Sequence, residues 1–176
     1  MIRQTVTCVV AALAMSAAVC AQSANPLTAE ARQAYTTVKG YLLRAADKMP
    51  EADYGFKPVP EIRGYGELMA HIADSAGRSC GMAKGEQKAI GAASKKTKAE
   101  ITAALKEAFD YCDTVYDSMT DAAILQTVAG RGGAQVSRLS ILTANLAHLN
   151  EEYGYGAVYL RLKGIVPPSS DRTPAR

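Results

Sequence analysis

The sequence of 176 residues lacks the features that mark several classes of protein. It has no Trp and only two Phe, and its formal net charge is only +3. A charge this small is not typical of a nucleic-acid-binding domain, so we expect no nucleic-acid partner. Seven Pro residues are present, but none lies between Glu61 and Val166, which leaves a long stretch without the strongest helix breaker.

β-Branched residues are also scarce relative to alanine. The chain contains 32 Ala against 19 Ile and Val together, and this balance favours helix over strand. Hydrophobic residues make up 48 % of the chain, which excludes an intrinsically disordered polymer and is enough for one domain with a core. The composition therefore predicts an all-α domain.

Long hydrophobic runs are absent except near the N-terminus. There Arg3 precedes an uncharged apolar run over 6–19. This order is typical of a secretory signal peptide, which we assign to residues 1–21, with cleavage after Ala21. The run is too short to span a membrane, so we expect an exported protein, periplasmic or secreted, without stable membrane insertion. Cys20 raises a lipoprotein alternative, but the bulky Val19 before it argues against lipidation.

Cysteine is rare, and export would remove two of the four. Cys80 and Cys112 remain, without the CxxC spacing of redox or zinc motifs. Two interpretations stay open: a pair of buried thiols that pack as small apolar residues, or one disulfide. An oxidising compartment favours the disulfide, which would close a loop of about 30 residues.

Apolar residues at three- and four-residue spacing predict four long helices. These cover 26–48, 65–83, 98–119 and 136–163. Asn25 and Pro26 are typical of a helix start, and Thr97 with Glu100 forms a capping box before the third helix. Gly164 is a natural residue to end the fourth helix.

The segments between the helices contain the turn-forming residues. Tyr54 and Phe56, in a Pro-rich segment, are expected to cover one end of the bundle. The segment 84–96 is rich in Gly and Lys and is predicted to be a solvent-exposed connection, while the glycine-rich segment 130–133 is predicted to be a flexible loop. We expect no strand between the helices.

These elements together predict one four-helix bundle domain. We place it over 22–170 and expect a disordered tail over 171–176. Two-fold association through bundle faces is common among helical domains, so a homodimer is compatible with the sequence.

Histidine is the scarcest residue that can carry metal chemistry. The two histidines are His71 and His148, in the second and fourth predicted helices, and Glu152 follows His148 by four residues. Positions i and i+4 share one helix face, so His148 and Glu152 could hold one ion, with His71 as a third ligand. The spacing alone also allows an ordinary helix-surface contact and a hydrogen-bonded core histidine. Other carboxylates near the histidines are Glu67, Asp74 and Glu151.

Two parts of the chain resemble motifs of the DinB-like (YfiT-like) family. Its C-terminal signature is matched by HLNEEYG at 148–154, VYLR at 158–161 and GIVPPSS at 164–170, and its second-helix motif by YGELMAHIA at 65–73. The likeness runs from the first predicted helix to Ser170. It implies a four-helix bundle that carries a divalent metal at one end.

The resemblance also implies a ligand set. The family's usual ligands are one His on the second helix and an HxxxH pair on the last long helix. His71 and His148 match the first two positions, and Glu152 stands where the third ligand is usually His. A carboxylate can still bind Zn, Ni, Mn or Fe, and it shifts the preference toward Fe and Mn. The identity of the divalent metal cofactor therefore stays open.

The activity that the resemblance implies is that of an exported metal-dependent enzyme with an unknown small-molecule substrate. Some relatives resemble thiol-dependent transferases or isomerases, and such a site also suits metal-assisted hydrolysis. A hydrolase and a thiol S-transferase therefore stay open. Two further alternatives are a non-catalytic exported bundle without metal chemistry and a metal-sequestering protein. The serines lack a GxSxG context, so no competing nucleophile motif is present.

Overall fold

Four long helices dominate the computed structural model, which describes residues 25–172. In chain order the helices are α1 (Pro26–Lys48), α2 (Tyr65–Lys84), α3 (Lys98–Ser118), the short α4 (Asp121–Ile124) and α5 (Arg138–Leu162). The connections hold 3-10 turns at Glu51–Asp53, Ala92–Ser94 and Arg131–Gly133. The all-α four-helix bundle predicted from the sequence is confirmed. The predicted signal peptide lies outside the described residues.

The apolar faces of the long helices meet in one core. Burial of this surface is the main driving force for folding. The ring of Tyr35 on α1 stacks on Tyr116 of α3, with ring centroids 4.1 Å apart. Tyr54 follows α1, is only 6 % exposed, and donates its hydroxyl to the carbonyl of Ala46 at 2.7 Å. Tyr54 thus closes one end of the bundle, as predicted.

Polar side chains fix where the helices begin. The predicted capping box before α3 is present: Thr97 Oγ1 accepts from the amide of Glu100, whose carboxylate accepts from the amide of Thr97. At the start of α1 the cap comes from elsewhere in the chain. Asp121 accepts from the amide of Thr28 at 2.9 Å, and Asn25 Oδ1 accepts from the amide of Asp121 at 2.9 Å. The starts of α1 and α4 therefore cap each other.

The glycine-rich segment before α5 differs from the prediction. It forms a β-hairpin of β1 (Thr127–Ala129) and β2 (Gln135–Ser137), in which Val128 pairs with Val136. Gly132 and Gly133 take positive φ angles of 67° and 81° in the turn, a conformation that glycine adopts without strain. The expectation of no strand is therefore wrong, whereas residues 130–133 form the connecting turn of the hairpin, in agreement with the predicted loop. Strands of three residues are too short to show a period in the sequence.

The connection between α2 and α3 is mostly solvent-exposed, as predicted, but part of it docks on α2. Asp74 on α2 accepts hydrogen bonds from the amides of Ala92 and Ala93, at 2.8 and 3.0 Å. Ile90 packs over Gly77, where an added Cβ would lie 2.5 Å from the Ile90 Cγ1 atom. The absence of a side chain at Gly77 thus lets this connection dock on α2.

The segment after α5 begins with a glycine turn and then contacts the bundle. Gly164, with a φ of 73°, lies just past the helix, as the sequence predicts. Lys48 Nζ then lies 2.6 Å from the carboxylate of Asp171, so this residue of the predicted tail contacts the bundle. Ser169 also joins the bundle, because its amide donates to the Tyr153 hydroxyl at 2.8 Å.

A disulfide crosses the core between α2 and α3. Cys80 and Cys112 are fully buried, and their Cα atoms lie 5.3 Å apart. This geometry selects the disulfide over two separate thiols. Among the residues described, no helix has the length and hydrophobicity needed to cross a bilayer.

We expect joint replacement of Cys80→Ala and Cys112→Ala to lower the free energy of unfolding by about 3–4 kcal/mol, because the disulfide restricts the unfolded chain. The two cysteines are 32 residues apart in sequence. Urea unfolding followed by circular dichroism measures the difference. Reductant should lower the midpoint of the wild-type protein and leave that of the variant unchanged. Equal midpoints for the oxidised wild type and the variant would contradict this assignment.

Candidate metal centre

Helices α2 and α5 carry the three residues singled out in the sequence. His71 lies on α2, while His148 and Glu152 lie one turn apart on α5 and therefore share a face. One turn further along α5 is Gly156, where an added Cβ would meet the Met69 side chain at 3.4 Å. The lack of a side chain at Gly156 keeps α5 close to α2 beside these residues.

The structure brings the three side chains together. His71 Nε2 lies 3.4 Å from Glu152 Oε1, and His148 Nδ1 lies 3.7 Å from the same oxygen. The two imidazole rings are 5.2 Å apart and almost perpendicular, at 89°. One donor atom from each residue lies within 4.8 Å of the others. The candidate site predicted from the sequence is therefore assembled in the fold.

The surroundings of Glu152 test whether these residues suit a metal ion. Glu152 is 4 % exposed, and within the described part of the chain its Oε2 atom has no hydrogen-bond partner. A buried carboxylate is costly unless a cation or hydrogen bonds compensate it. Ligand atoms of a tetrahedral ion with bonds of about 2.1 Å lie about 3.4 Å apart, close to the separations seen here. The three residues thus fit one divalent ion.

The protonation state of His71 also suits a metal ligand. Burial lowers the pKa of His71 below its ordinary value of 6.5, and the nearby charge of Arg63 lowers it further. Glu152 opposes this shift, whereas His148 and Arg78 add to it. The neutral imidazole, which is the form that binds metals, is therefore favoured at neutral pH.

The other candidate carboxylates are engaged elsewhere. Asp74 holds the amides of Ala92 and Ala93, and Glu67 accepts from the amide of Gly64 and pairs with Lys57. Glu151 Oε2 lies 3.8 Å from His148 Nδ1, but its side chain is 56 % exposed, and Glu151 Oε1 accepts from the Tyr155 hydroxyl. Of the four carboxylates considered, Glu152 is the one that converges with both histidines.

Two open cavities meet at His71. One has a volume of about 500 Å³ and is lined by both histidines, by Arg78 and by Asn145. The other, of about 740 Å³, is lined by His71 and Arg78 but not by His148. The histidines therefore face space that a small molecule can enter, while Glu152 lies behind them.

Asn145 also lies beside the histidines, although it was not among the residues predicted from the sequence. Asn145, His148 and Glu152 follow the spacing i, i+3, i+7, which places all three on one face of α5. Asn145 is only 2 % exposed, and its Oδ1 atom has no hydrogen-bond partner among the described residues. Arg78 and Arg131 were also missed, because their place beside the histidines depends on how α2 and the hairpin pack.

Comparison with solved structures shows which fold this is. A DinB-like protein from Bacillus cereus ATCC 10987 is 13 % identical, with a TM-score of 0.69 over 78 % of this chain and 93 % of its own. The DinB-like protein YjoA from Bacillus subtilis is 18 % identical, with a TM-score of 0.67 over 82 % of this chain and 99 % of its own. At these identities the likeness establishes a shared fold.

A third solved neighbour is an enzyme. The mycothiol-dependent maleylpyruvate isomerase is 15 % identical and has a TM-score of 0.60 over 74 % of this chain. The match spans 59 % of the isomerase, so this chain corresponds to only part of it. No match was found among curated proteins.

Comparison of the sequence with a family model shows the family to which the chain belongs. The model for the DinB superfamily matches residues 34–155, which include both histidines and Glu152. This range takes in most of the bundle, from α1 into α5. The chain belongs to the DinB superfamily.

Proposed function

We propose that His71, His148 and Glu152 bind one divalent metal ion and that the protein is a metal-dependent enzyme. The observation that carries this proposal is a buried carboxylate, with one unpartnered oxygen, between two imidazoles from different helices. A divalent cation would neutralise this carboxylate and use the nitrogen atoms beside it. The DinB-like fold supports the same site, because the family resemblance assigns its ligands to these positions.

The donor set limits which metals are suitable. Two imidazole nitrogens and one carboxylate oxygen suit Zn, Ni, Mn or Fe, and the carboxylate favours the harder of these ions. Three protein ligands leave at least one coordination position open, as in catalytic rather than structural zinc sites. A site built only to sequester metal would not need a cavity of about 500 Å³ beside its ligands, so this cavity favours an enzyme.

The protein residues define what the site contributes to a reaction. A bound divalent ion supplies Lewis acidity, which polarises a carbonyl group or favours the thiolate form of a thiol. His71 and His148 fix the orientation of the site from two helices, and Glu152 offsets positive charge from a buried position. Substrate enters from the side of the histidines, where the cavity lies.

Two reaction classes use such a site. Metal-assisted hydrolysis requires only the open site and a substrate with a polarisable carbonyl or ester group. Thiol-dependent transfer or isomerisation has a precedent in the fold, since one solved neighbour is a mycothiol-dependent isomerase. Among the described residues no cysteine lines the cavity, so we expect a thiol to come from a small-molecule cofactor.

Replacement of any one ligand should abolish tight metal binding. Loss of an outer partner of a zinc ligand costs about 10–100-fold in affinity, so His71→Ala, His148→Ala and Glu152→Ala should each cost about 100-fold or more. Glu152→His should retain binding and shift it toward softer metals. Titration calorimetry with Zn and Mn, on protein purified without a His-tag, measures these affinities.

The matched control for these variants is Glu151→Gln. Glu151 is the neighbour of Glu152 but is exposed and held by Tyr155. It should keep wild-type affinity for both metals. Equal affinities for the wild type and the three alanine variants would overturn the site.

The free energy of unfolding of the metal-free protein should report how much the buried carboxylate of Glu152 destabilises the fold. At pH 8, Glu152→Gln should raise the free energy of unfolding of metal-free protein by about 1–3 kcal/mol, because the unpaired charge is removed. Saturating Zn should stabilise the wild type and have little effect on this variant. Chemical unfolding with and without Zn tests both statements. A metal-free variant less stable than the wild type would contradict this argument, and Glu151→Gln again serves as the control.

Export is the setting that we propose for this enzyme. The signal-peptide pattern of residues 1–21 supports it, and the disulfide between Cys80 and Cys112 is consistent with an oxidising compartment. Intact-mass spectrometry of protein from its native cells should find Gln22 as the first residue. Protein that begins at Met1 and carries two free thiols would overturn export.

A further inference from the structure

The cavity of about 500 Å³ beside the histidines has an unusual charge distribution. Its walls are α2, α5 and the hairpin of β1 and β2. Of residues 25–172, the charged side chains that line it, apart from the histidines, are Arg78 from α2 and Arg131 from the hairpin turn, and none of these residues contributes a carboxylate. Glu152 lies behind the histidines, outside this lining.

The two arginines are free to bind a ligand. Neither side chain forms an ion pair or hydrogen bond with any residue between 25 and 172. Asp74 lies one turn from Arg78 on α2, but both of its oxygens accept from the backbone amides of Ala92 and Ala93. Arginine presents a planar array of N–H donors that matches a carboxylate or a phosphate.

Asn145 contributes a different group to the same cavity. Its Nδ2 atom faces the Cys80 sulfur at 3.9 Å, while its buried Oδ1 atom has no partner among the described residues. A buried carbonyl oxygen without a hydrogen bond costs about 1–3 kcal/mol. Because this oxygen is buried in the cavity wall, a rotation of the Asn145 side chain toward the cavity would let an O–H or N–H group of a ligand recover that cost.

We propose that this cavity binds a small oxyanion that carries a hydroxyl or amine group. Arg78 and Arg131 bind the carboxylate or phosphate, and Asn145 Oδ1 accepts a hydrogen bond from the hydroxyl or amine. The volume of about 500 Å³ is that of a site for a small metabolite. As a statement about substrate class this rests on the proposed function, because it places the reacting group of the ligand beside His71 and His148.

The arrangement separates binding from chemistry. The two arginines attract and orient an acid at one side of the cavity, and the histidines face the other part of the same ligand. Because the open lining has cationic but no anionic side chains, a neutral or cationic analogue lacks a partner there. The positive charge therefore favours anionic substrates over neutral or cationic ones.

The test uses zinc-loaded protein and four probes: succinate, malate, inorganic phosphate and the neutral succinamide. Ligand-observed NMR or calorimetry gives the dissociation constants. Succinate or phosphate should bind, and the tighter of the two identifies the oxyanion as a carboxylate or a phosphate. Succinamide should bind at least about tenfold more weakly than succinate. Equal binding of succinamide and succinate would overturn the proposal.

Variants separate the arginines from the metal as the source of binding. Arg78→Gln and Arg131→Gln should each weaken oxyanion binding about tenfold while zinc content stays at that of the wild type. Arg44→Gln, on α1 and outside the lining of this cavity, is the matched control and should change neither property. Unchanged oxyanion affinity in both cavity variants would overturn the proposal while leaving the metal site intact. Failure to bind zinc at all would instead overturn the proposed function.

The difference in affinity between malate and succinate tests the role of Asn145. Malate differs from succinate by one hydroxyl group, so wild-type protein should bind malate more tightly. Asn145→Ala should remove this preference and retain the affinity for succinate. A preference for malate that persists in a folded, zinc-loaded Asn145→Ala protein would exclude Asn145 as the acceptor. If that variant fails to fold, Asn145→Asp, which retains an oxygen at this position, should preserve the preference, and its loss there would count against the assignment.

Discussion

The candidate metal site depends on a buried carboxylate between two imidazoles. Glu152 is 4 % exposed, and one of its oxygens has no partner in the described part of the chain, so the fold holds a charge that the protein alone does not neutralise. Such an arrangement is unfavourable in the absence of a cation and becomes favourable when one binds. The proposed function therefore couples binding of metal to the stability of the bundle through this residue.

The rest of the scaffold keeps α2 and α5 at the spacing that this site requires. The disulfide joins α2 to α3, and the Tyr65 hydroxyl donates to the carbonyl of Ala45 on α1 at 2.7 Å. The hydroxyl of Tyr159 on α5 donates to the carbonyl of Arg63 at 2.7 Å, just before α2 begins. These contacts hold α2 from three sides. A site whose ligands come from two helices needs this rigidity, because small displacements change the coordination geometry.

Local sequence signals predicted the long helices and the pairing of His148 with Glu152. The position of His71, the hairpin and the cavity arginines depend on tertiary packing. Thr97 and Glu100 are three residues apart, and His148 and Glu152 four, so their contacts follow from helix geometry alone. His71 joins them only through packing; it was a candidate third ligand because histidine is scarce, and the family resemblance supported that position. The hairpin at Val128 and Val136 has no periodic signal of useful length. The arginines of the cavity come from segments about 50 residues apart, and nothing local predicts that both line one space.

The crystal structure of zinc-loaded protein, with diffraction recorded at the zinc absorption edge, tests the central claim most directly. We expect one strong anomalous peak between α2 and α5. Nitrogen atoms of His71 and His148 and an oxygen of Glu152 should lie about 2.0–2.2 Å from it. A peak bound by other residues, or no peak between these three at saturating zinc, would contradict the account.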